Sequence, residues 1–438
     1  MSNLCIVGDV LVDVSLKTKN TPLKMRLGGI IHCARAMWAM GKKYSVAYFA
    51  PIYLRPHIEE YLKNFGEPET LQLGEVETCP YIMLVGEPKE IGNQEYDFLL
   101  RDDVNIKYLD FNLQKLGQYK KFLLVSGNYE LKKIHRYFPN DASLSIDIAN
   151  NTNDLKGLKK FFFDNIFIST SSDIFQNLYN RSEDFKIDDF FEAFRSFTKR
   201  LILKENRGGS RAIDFNSESV FKIDSQTRTI SHSIGVGDVY NTSYLIADCE
   251  GIEEKLSFAS FVAMEYASTT YPDDFKKMVT RLMLKPCELK NLKGVSLVWE
   301  ERKKINIYIA APDFDYVDTR LIDRIEGSLK YHNFSCHRPV KLNGQMGTNA
   351  TSDRKKFLFQ KDMELLKKCN IVLGILLFND PGTLIEIGIA AERGLPTIVY
   401  DPHEIAQNCM LTQLPDLVSS DPDEIISEIF IQSQNLNL

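Results

Sequence analysis

The chain has 438 residues, long for one domain and comfortable for two. Apolar residues make up 44% and charged residues 26%, the balance of an ordinary globular protein, and the net charge of −6 argues against a nucleic-acid footprint or an anionic membrane partner. No apolar run reaches the ~18 residues of a membrane-spanning helix. MSNLCIVGDV enters a strand at once, with no basic n-region or long apolar stretch, so no signal peptide is expected and the reading is cytoplasmic. The cysteines at 5, 33, 79, 249, 287, 336, 369 and 409 show no C-x-x-C spacing and read as reduced thiols. Cys336-His337 lacks partners at ligand spacing, so no metal site is expected.

In chain order, residues 1–16 read as a strand interrupted at Gly8 and Asp9, with Asp13 just beyond. A polar stretch leads to RLGGIIHCARAMWAMGKK, where Gly28-Gly29 opens an apolar helix over 30–40 that Gly41 closes. The strand SVAYFAP follows, and residues 70–100 alternate like sheet or hairpin strands. Then KFLLVSG, SLSIDIAN, FFFDNIFIST and RLILKEN read as strands, with helices at ELKKIHRYF and DDFFEAFRSFTKR. Such alternation predicts an α/β architecture, a mainly parallel sheet flanked by helices.

The stretch ISHSIGVGDVYNTSYLIADCEG (230–251) carries chemistry. Gly235, Val236 and Gly237 form a turn, and Asp238 begins a helix. Such a turn offers backbone N–H groups to an anion, a candidate anion hole. Asp238 can take a proton from a hydroxyl while those amides stabilise a transferring phosphoryl group. A plain glycine turn with Asp238 as N-cap is the simpler alternative.

With the early G-D-x3-D (8–13), Gly28-Gly29 before a helix, KENRGGS (204–210) and the late G-x-G-D, residues 1–290 resemble the ribokinase (PfkB) family of sugar and nucleoside kinases. The resemblance implies a ribokinase-like α/β sandwich, with Asp238 as catalytic base, Asp13, Gly28 and Gly29 on the sugar, and ATP and Mg2+ as cofactors if phosphate transfer persists. This chain departs from the family pattern. His232-Ser233-Ile234 stands where D-T-x is usual, and the Asn expected after Gly-Gly is absent, with His32 or Cys33 nearby. Thr170-x-x-Asp173 replaces N-x-x-E, and Asn206 takes a common Gly position. Phosphate transfer, nucleotide sensing and scaffolding therefore all stay open for this half.

EKLSFASFVAMEYAST and DDFKKMVTRLML continue as helices, and the Lys-rich 285–304 is compatible with a last strand plus a short linker but its periodicity is too poor to choose, giving domains 1–295 and 305–438. The second domain reads as strand 305–311, helix 317–331, strand FSCHRPV, a long loop KLNGQMGTNATSDRK, helix 355–369, strand 371–378, helix 383–393, strand PTIVY and a helical tail.

DPGTLIEIGIAAERG (380–394) is the sharpest motif of this half. Asp380 follows a buried strand, and Pro381-Gly382 form a turn before a helix from Thr383, with Glu386 in its first turn. Ligands of open α/β sheets bind at such strand ends. Thr383-x-x-Glu386 also has capping-box spacing, so simple helix capping competes with a functional reading. Tyr308 in INIYIAAP and Asp362 in KDMELLKKCN point toward the same crevice. Cleavage of an N-glycosidic bond suits these groups: one carboxylate stabilises or attacks the anomeric carbon, and a second acid protonates the leaving base.

IYIAAP, the Asp362/Asn370 pair and D-x-GT-x2-E-x-G-x-A over 380–390 resemble the nucleoside 2-deoxyribosyltransferase family, which includes 2′-deoxynucleoside 5′-phosphate N-hydrolases. The resemblance implies a smaller Rossmann-like (flavodoxin-like) parallel-sheet domain without a cofactor. It implies Glu386 as nucleophile, Tyr308 orienting it, and Asp362 and Asp380 on the sugar hydroxyls or the departing base. Gly382 and Thr383 fall in the substrate-binding turn, and Asn370 is expected to be structural. A homo-oligomer acting on a small-molecule nucleoside or nucleotide is implied as well. An ATP-dependent kinase with a regulatory second domain and a nucleotide-depleting effector are the alternatives.

Overall fold

In the computed structural model, residues 4–18, 21–77, 79–100, 104–148, 155–179, 186–347 and 349–436 are described. The chain divides into two units, Met1–Lys89 with Gln94–Gly294, and Glu90–Asn93 with Val295–Leu438.

The strands of the first unit are β1 (Leu4–Asp9), β2 (Val12–Ser15), β3 (Lys24–Leu27), β4 (Tyr44–Ala50), β5 (Glu69–Val76), β6 (Ile82–Val85) and β7 (Tyr96–Phe98). They continue as β8 (Ile106–Tyr108), β9 (Lys121–Leu124), β10 (Ser143–Asp147), β11 (Phe163–Ser169), β12 (Thr198–Lys204), β13 (Ser210–Asp214) and β14 (Ser219–Ile223). Ten of them form one sheet in the order β14-β13-β12-β11-β10-β9-β1-β4-β5-β8. Its middle, from β12 to β5, is parallel, and β13, β14 and β8 are antiparallel edges. A central parallel strand is covered on both faces, which is why LCIVGD in β1 is buried at every residue. The helices Val236–Ile246 and Ile252–Ser268 share one apolar cluster with β1 and β4, through Tyr240, Tyr244, Leu256 and Ala259. The remaining strands form a second sheet, β3-β2-β6-β7.

The expected strand over 1–16 is therefore two strands in two sheets, separated after Asp9. The expected 70–100 hairpin is interrupted as well, because Glu90–Asn93 belongs to the second unit. There Ile91 joins the core of Ile322, Ile325 and Leu329, and its carbonyl oxygen bonds His332 Nε2 at 3.0 Å. The helix expected through 200 ends early, since Thr198 already begins β12 beside β11. The stretch 285–304 holds a 3-10 turn (Pro286–Asn291) and a short helix (Trp299–Arg302) instead of a strand.

The second unit has β15 (Asn306–Ala310), β16 (Ser335–His337), β17 (Ile371–Ile375), β18 (Thr397–Tyr400) and β19 (Leu417–Ser419), all parallel in the order β16-β15-β17-β18-β19. In unit order this is 2-1-3-4-5, the flavodoxin-like arrangement, whose switch point lies between β15 and β17. The helices Arg320–Tyr331, Ser352–Lys368, Pro381–Glu392 and Pro422–Gln434 connect or follow these strands. The long loop is shorter than expected, holding a one-turn helix at Pro339–Asn343 and giving way to helix at Ser352. The tail holds a strand, β19, that periodicity could not register in three residues.

Candidate active site

In the second unit the switch point brings four of the expected side chains to one place. Tyr308 lies in β15 in register with Val372 of β17, and the helix Pro381–Glu392 follows β17. Gly374 of β17 lets that helix come close, since a Cβ there would meet Ile387 Cδ1 at 2.5 Å. Glu386, one residue earlier, reaches Tyr308, whose hydroxyl donates to Glu386 Oε1 at 2.6 Å. Tyr308 is fully buried, and burial and the Glu386 charge hold its phenol well above the ordinary range, so it stays a donor.

Burial pushes the Glu386 carboxyl up to about 7. The Tyr308 bond works against that, and the charges of Asp362 and Asp380 add to it. Asp362 is also raised by burial, with the amide of Asn343 opposing it by donating to Oδ1 at 2.8 Å. Asn343 comes from the one-turn helix inside the expected loop, and no motif marked it.

Asp380 is the N-cap of its helix: Oδ2 accepts from the Thr383 amide at 2.7 Å and the Thr383 hydroxyl at 2.9 Å. The capping-box alternative, with Thr383 at N-cap answered by Glu386, is thereby corrected. The helix begins two residues earlier, Pro381 and Gly382 lie in its first turn, Thr383 is buried at N3, and Glu386 sits in the second turn. Capping is done by Asp380, which leaves Glu386 to Tyr308. Asn370 ties two strand starts together, its Oδ1 accepting from the Asn306 amide at 2.8 Å.

A buried Arg338 went unread in the sequence. It donates to Asp313 Oδ2 at 2.7 Å, Asp323 Oδ1 at 2.5 Å and Glu326 Oε2 at 2.8 Å. These bonds fasten the loop after β15 to the helix Arg320–Tyr331. Farther along that loop, Asp315 and Gln345 exchange two 3.0 Å hydrogen bonds, and Phe314 and Tyr316 stack at 5.3 Å.

In the first unit, Gly235 caps the helix Val236–Ile246 in left-handed backbone, φ 74°. The Val236 amide donates to the Ser233 carbonyl at 3.3 Å, while those of Gly237 and Asp238 have no partner among the described residues. Asp238 is half-buried, and burial followed by the Asp147 charge pushes its carboxyl up to about 8, with Lys204 opposing. Lys204 Nζ donates to Asp147 Oδ2 at 3.1 Å and to Asn241 Oδ1 at 3.0 Å, and lies 3.2 Å from where a Gly237 Cβ would stand. Asp147, Lys204 and Asn241 were not singled out in the sequence, because only the fold brings the ends of β10 and β12 to this helix.

Asp13 is buried, bonded to His32 Nε2 at 3.0 Å and facing Arg26 Nε at 3.9 Å. Its carboxylate fills the space a Cβ on Gly28 would take, and the Asp9 carbonyl does the same beside Gly29. The glycine pair is thus demanded by close approach. Asn206 stands at φ 53°, the left-handed region where Asn is the best-tolerated substitute for Gly. No group of three or more His, Cys, Asp or Glu side chains converges as a metal site among the described residues. No described helix is long and apolar enough to cross a membrane.

No curated protein matches the chain. Among solved structures it is similar to phosphofructokinase-2 from Escherichia coli in complex with fructose-6-phosphate, at 15% identity and TM-score 0.47, over 64% of this chain and 99% of that one. A mutant of the same enzyme matches at 14% identity and TM-score 0.48, over the same shares. Residues 307–433 match the family model described as nucleoside 2-deoxyribosyltransferase. The segment that carries Tyr308, Asp362, Asp380 and Glu386 is therefore similar to the nucleoside 2-deoxyribosyltransferase family over residues 307–433.

Proposed function

We propose that the second unit cleaves the N-glycosidic bond of a nucleoside or nucleotide with Glu386 as nucleophile. The observation that carries this reading is the 2.6 Å bond from Tyr308 to Glu386 Oε1, which orients a carboxylate with a carboxyl pKa of about 7. In its ionised form Glu386 attacks the anomeric carbon, the bond to the base breaks, and a glycosyl ester remains on Oε. Asp362, raised above the ordinary carboxyl range, is the proton donor for the departing base, and Asp380 meets a sugar hydroxyl with the oxygen not used in capping. Water on the ester gives hydrolysis, and a second base gives transfer. The domain acts as a homo-oligomer without a cofactor.

The test is chromatography after incubating the purified protein with nucleosides and nucleotides, with and without a second free base. Free base released by the wild type and lost in Glu386→Ala supports the reading. No release from any substrate overturns it.

A second reading applies to the first unit: phosphoryl transfer to a sugar or nucleoside hydroxyl, with Asp238 as base. The open amides of Gly237 and Asp238 beside Lys204 favour it, since they would hold ATP phosphates. ATP turnover that survives Asp238→Asn removes this reading.

A further inference from the structure

The first unit contains a cavity of about 300 Å3 whose wall includes Lys24, Arg26, Arg35, His232, Tyr61 and Tyr266. Among the described residues no Asp or Glu lines it. Arg35 is buried and has no carboxylate partner among the described residues. Its donors go to neutral oxygens: Nε to the Tyr61 hydroxyl at 2.7 Å, Nη1 to the Tyr266 hydroxyl at 2.9 Å, and Nη2 to the Leu27 carbonyl at 3.4 Å. A buried guanidinium without a counter-charge is costly unless something anionic completes it.

The other cations are only weakly compensated. Among the described residues Lys24 reaches only the Thr270 hydroxyl, at 3.5 Å. Among the described residues Arg26 has one carboxylate in range, Asp13 at 3.9 Å, which already bonds His32, and its Nη2 donates to the Ile234 carbonyl at 3.3 Å. His232 adds no charge, because burial lowers its pKa to about 3. Its Nε2 faces the Thr269 carbonyl oxygen at 3.2 Å, and its Nδ1 faces Arg26 at 3.4 Å. The wall is rigid from behind: Tyr266 also bonds His32 Nδ1 at 2.7 Å. Most of the remaining lining is hydroxyls and rings, among them Thr269, Thr270, Tyr271 and Phe275.

We propose that this cavity is a binding site for a small organic phosphate, its phosphate on Lys24, Arg26 and Arg35 and its ring against the tyrosine and phenylalanine walls. Bidentate guanidinium groups suit phosphate, and hydroxyls beside aromatic faces suit a sugar or a base. The site is separate from Glu386 and does not depend on the glycosidic reading.

Calorimetric titration of the full-length protein tests it, with adenosine 5′-monophosphate, ribose 5-phosphate, inorganic phosphate, adenosine and ribose as probes. Saturable binding of one or both organic phosphates is expected, at least tenfold tighter than the matching unphosphorylated compound. Binding by the nucleotide alone names a base-bearing ligand, and binding by ribose 5-phosphate names a sugar phosphate. Lys24→Glu, at an exposed position, and Arg26→Gln should each weaken it at least tenfold. Circular dichroism checks that both variants fold. No saturable binding, inorganic phosphate bound as tightly as the organic phosphates, or affinity unchanged in both variants would overturn the proposal.

Discussion

Tyr308 and Glu386, 78 positions apart in the chain, meet through one hydrogen bond of 2.6 Å across the switch point of a five-stranded parallel sheet. The bond stabilises the carboxylate against the burial that disfavours it. Tyr308→Phe removes only the hydroxyl. A hydrogen bond to a charged group contributes about 1.5–3 kcal/mol, and one pH unit corresponds to about 1.4 kcal/mol. The acidic limb of kcat/KM for base release should therefore move up by about one to two pH units in Tyr308→Phe. A limb that stays in place would show that Tyr308 does not tune the nucleophile.

Glu386 also predicts a pH dependence of stability. Its carboxyl pKa is about 7 in the folded protein against an ordinary 4.5, so folding favours the protonated form. That contribution is complete below about pH 4.5 and is lost as pH rises through about 7. Glu386→Gln is neutral throughout and can still accept from Tyr308. Urea unfolding should find the variant more stable than the wild type at pH 8, by at most about 3 kcal/mol, with the advantage shrinking toward pH 4.5. Parallel curves for the two proteins from pH 4.5 to 8 would refute this account.

Asp380 has a structural task and a proposed catalytic one, and substitutions separate them. Asp380→Ala loses both bonds to Thr383 and should cost about 1 kcal/mol in thermal or urea unfolding. Asp380→Asn keeps a good N-cap and should restore most of that stability. If the second carboxylate oxygen meets the sugar, base release stays low in both variants. Full activity in Asp380→Asn would reduce Asp380 to a cap.

What could be read from the sequence depended on how contiguous each feature is. Asp380, Thr383 and Glu386 lie within seven residues, so their motif needs no tertiary information. Strands such as β9, β11 and β17 are built on short apolar runs, FLL, IFI and IVLGI, that are legible without tertiary information. Glu90–Asn93 is only four residues long, with no period, and its place in the second unit is set by Ile91 packing among distant leucines and isoleucines. Asn343 behind Asp362, and Lys204 with Asp147 and Asn241, were hidden for the same reason: each pairing is a product of the fold. Arg338 looked like any basic residue at a strand end, since one sequence position carries no sign of burial.

Arg338 supplies the last prediction. It is the shared partner of Asp313, Asp323 and Glu326, and its side chain is 1% exposed. Arg338→Met keeps length and apolar bulk but leaves the buried Asp313 without this counter-charge, a type of loss worth about 3–5 kcal/mol. The pH dependence gives the mechanism away. The Arg338 bond, the largest influence on Asp323, holds that carboxyl down at about 2 against an ordinary 3.8. The stability this adds is present above about pH 3.8 and is lost as pH falls through about 2. The gap between wild type and Arg338→Met in urea unfolding should thus be full at pH 7 and close progressively below about pH 4. A gap that stays constant down to pH 2.5 would mean that Arg338 acts through packing of its stem, and not through its charge on the three carboxylates.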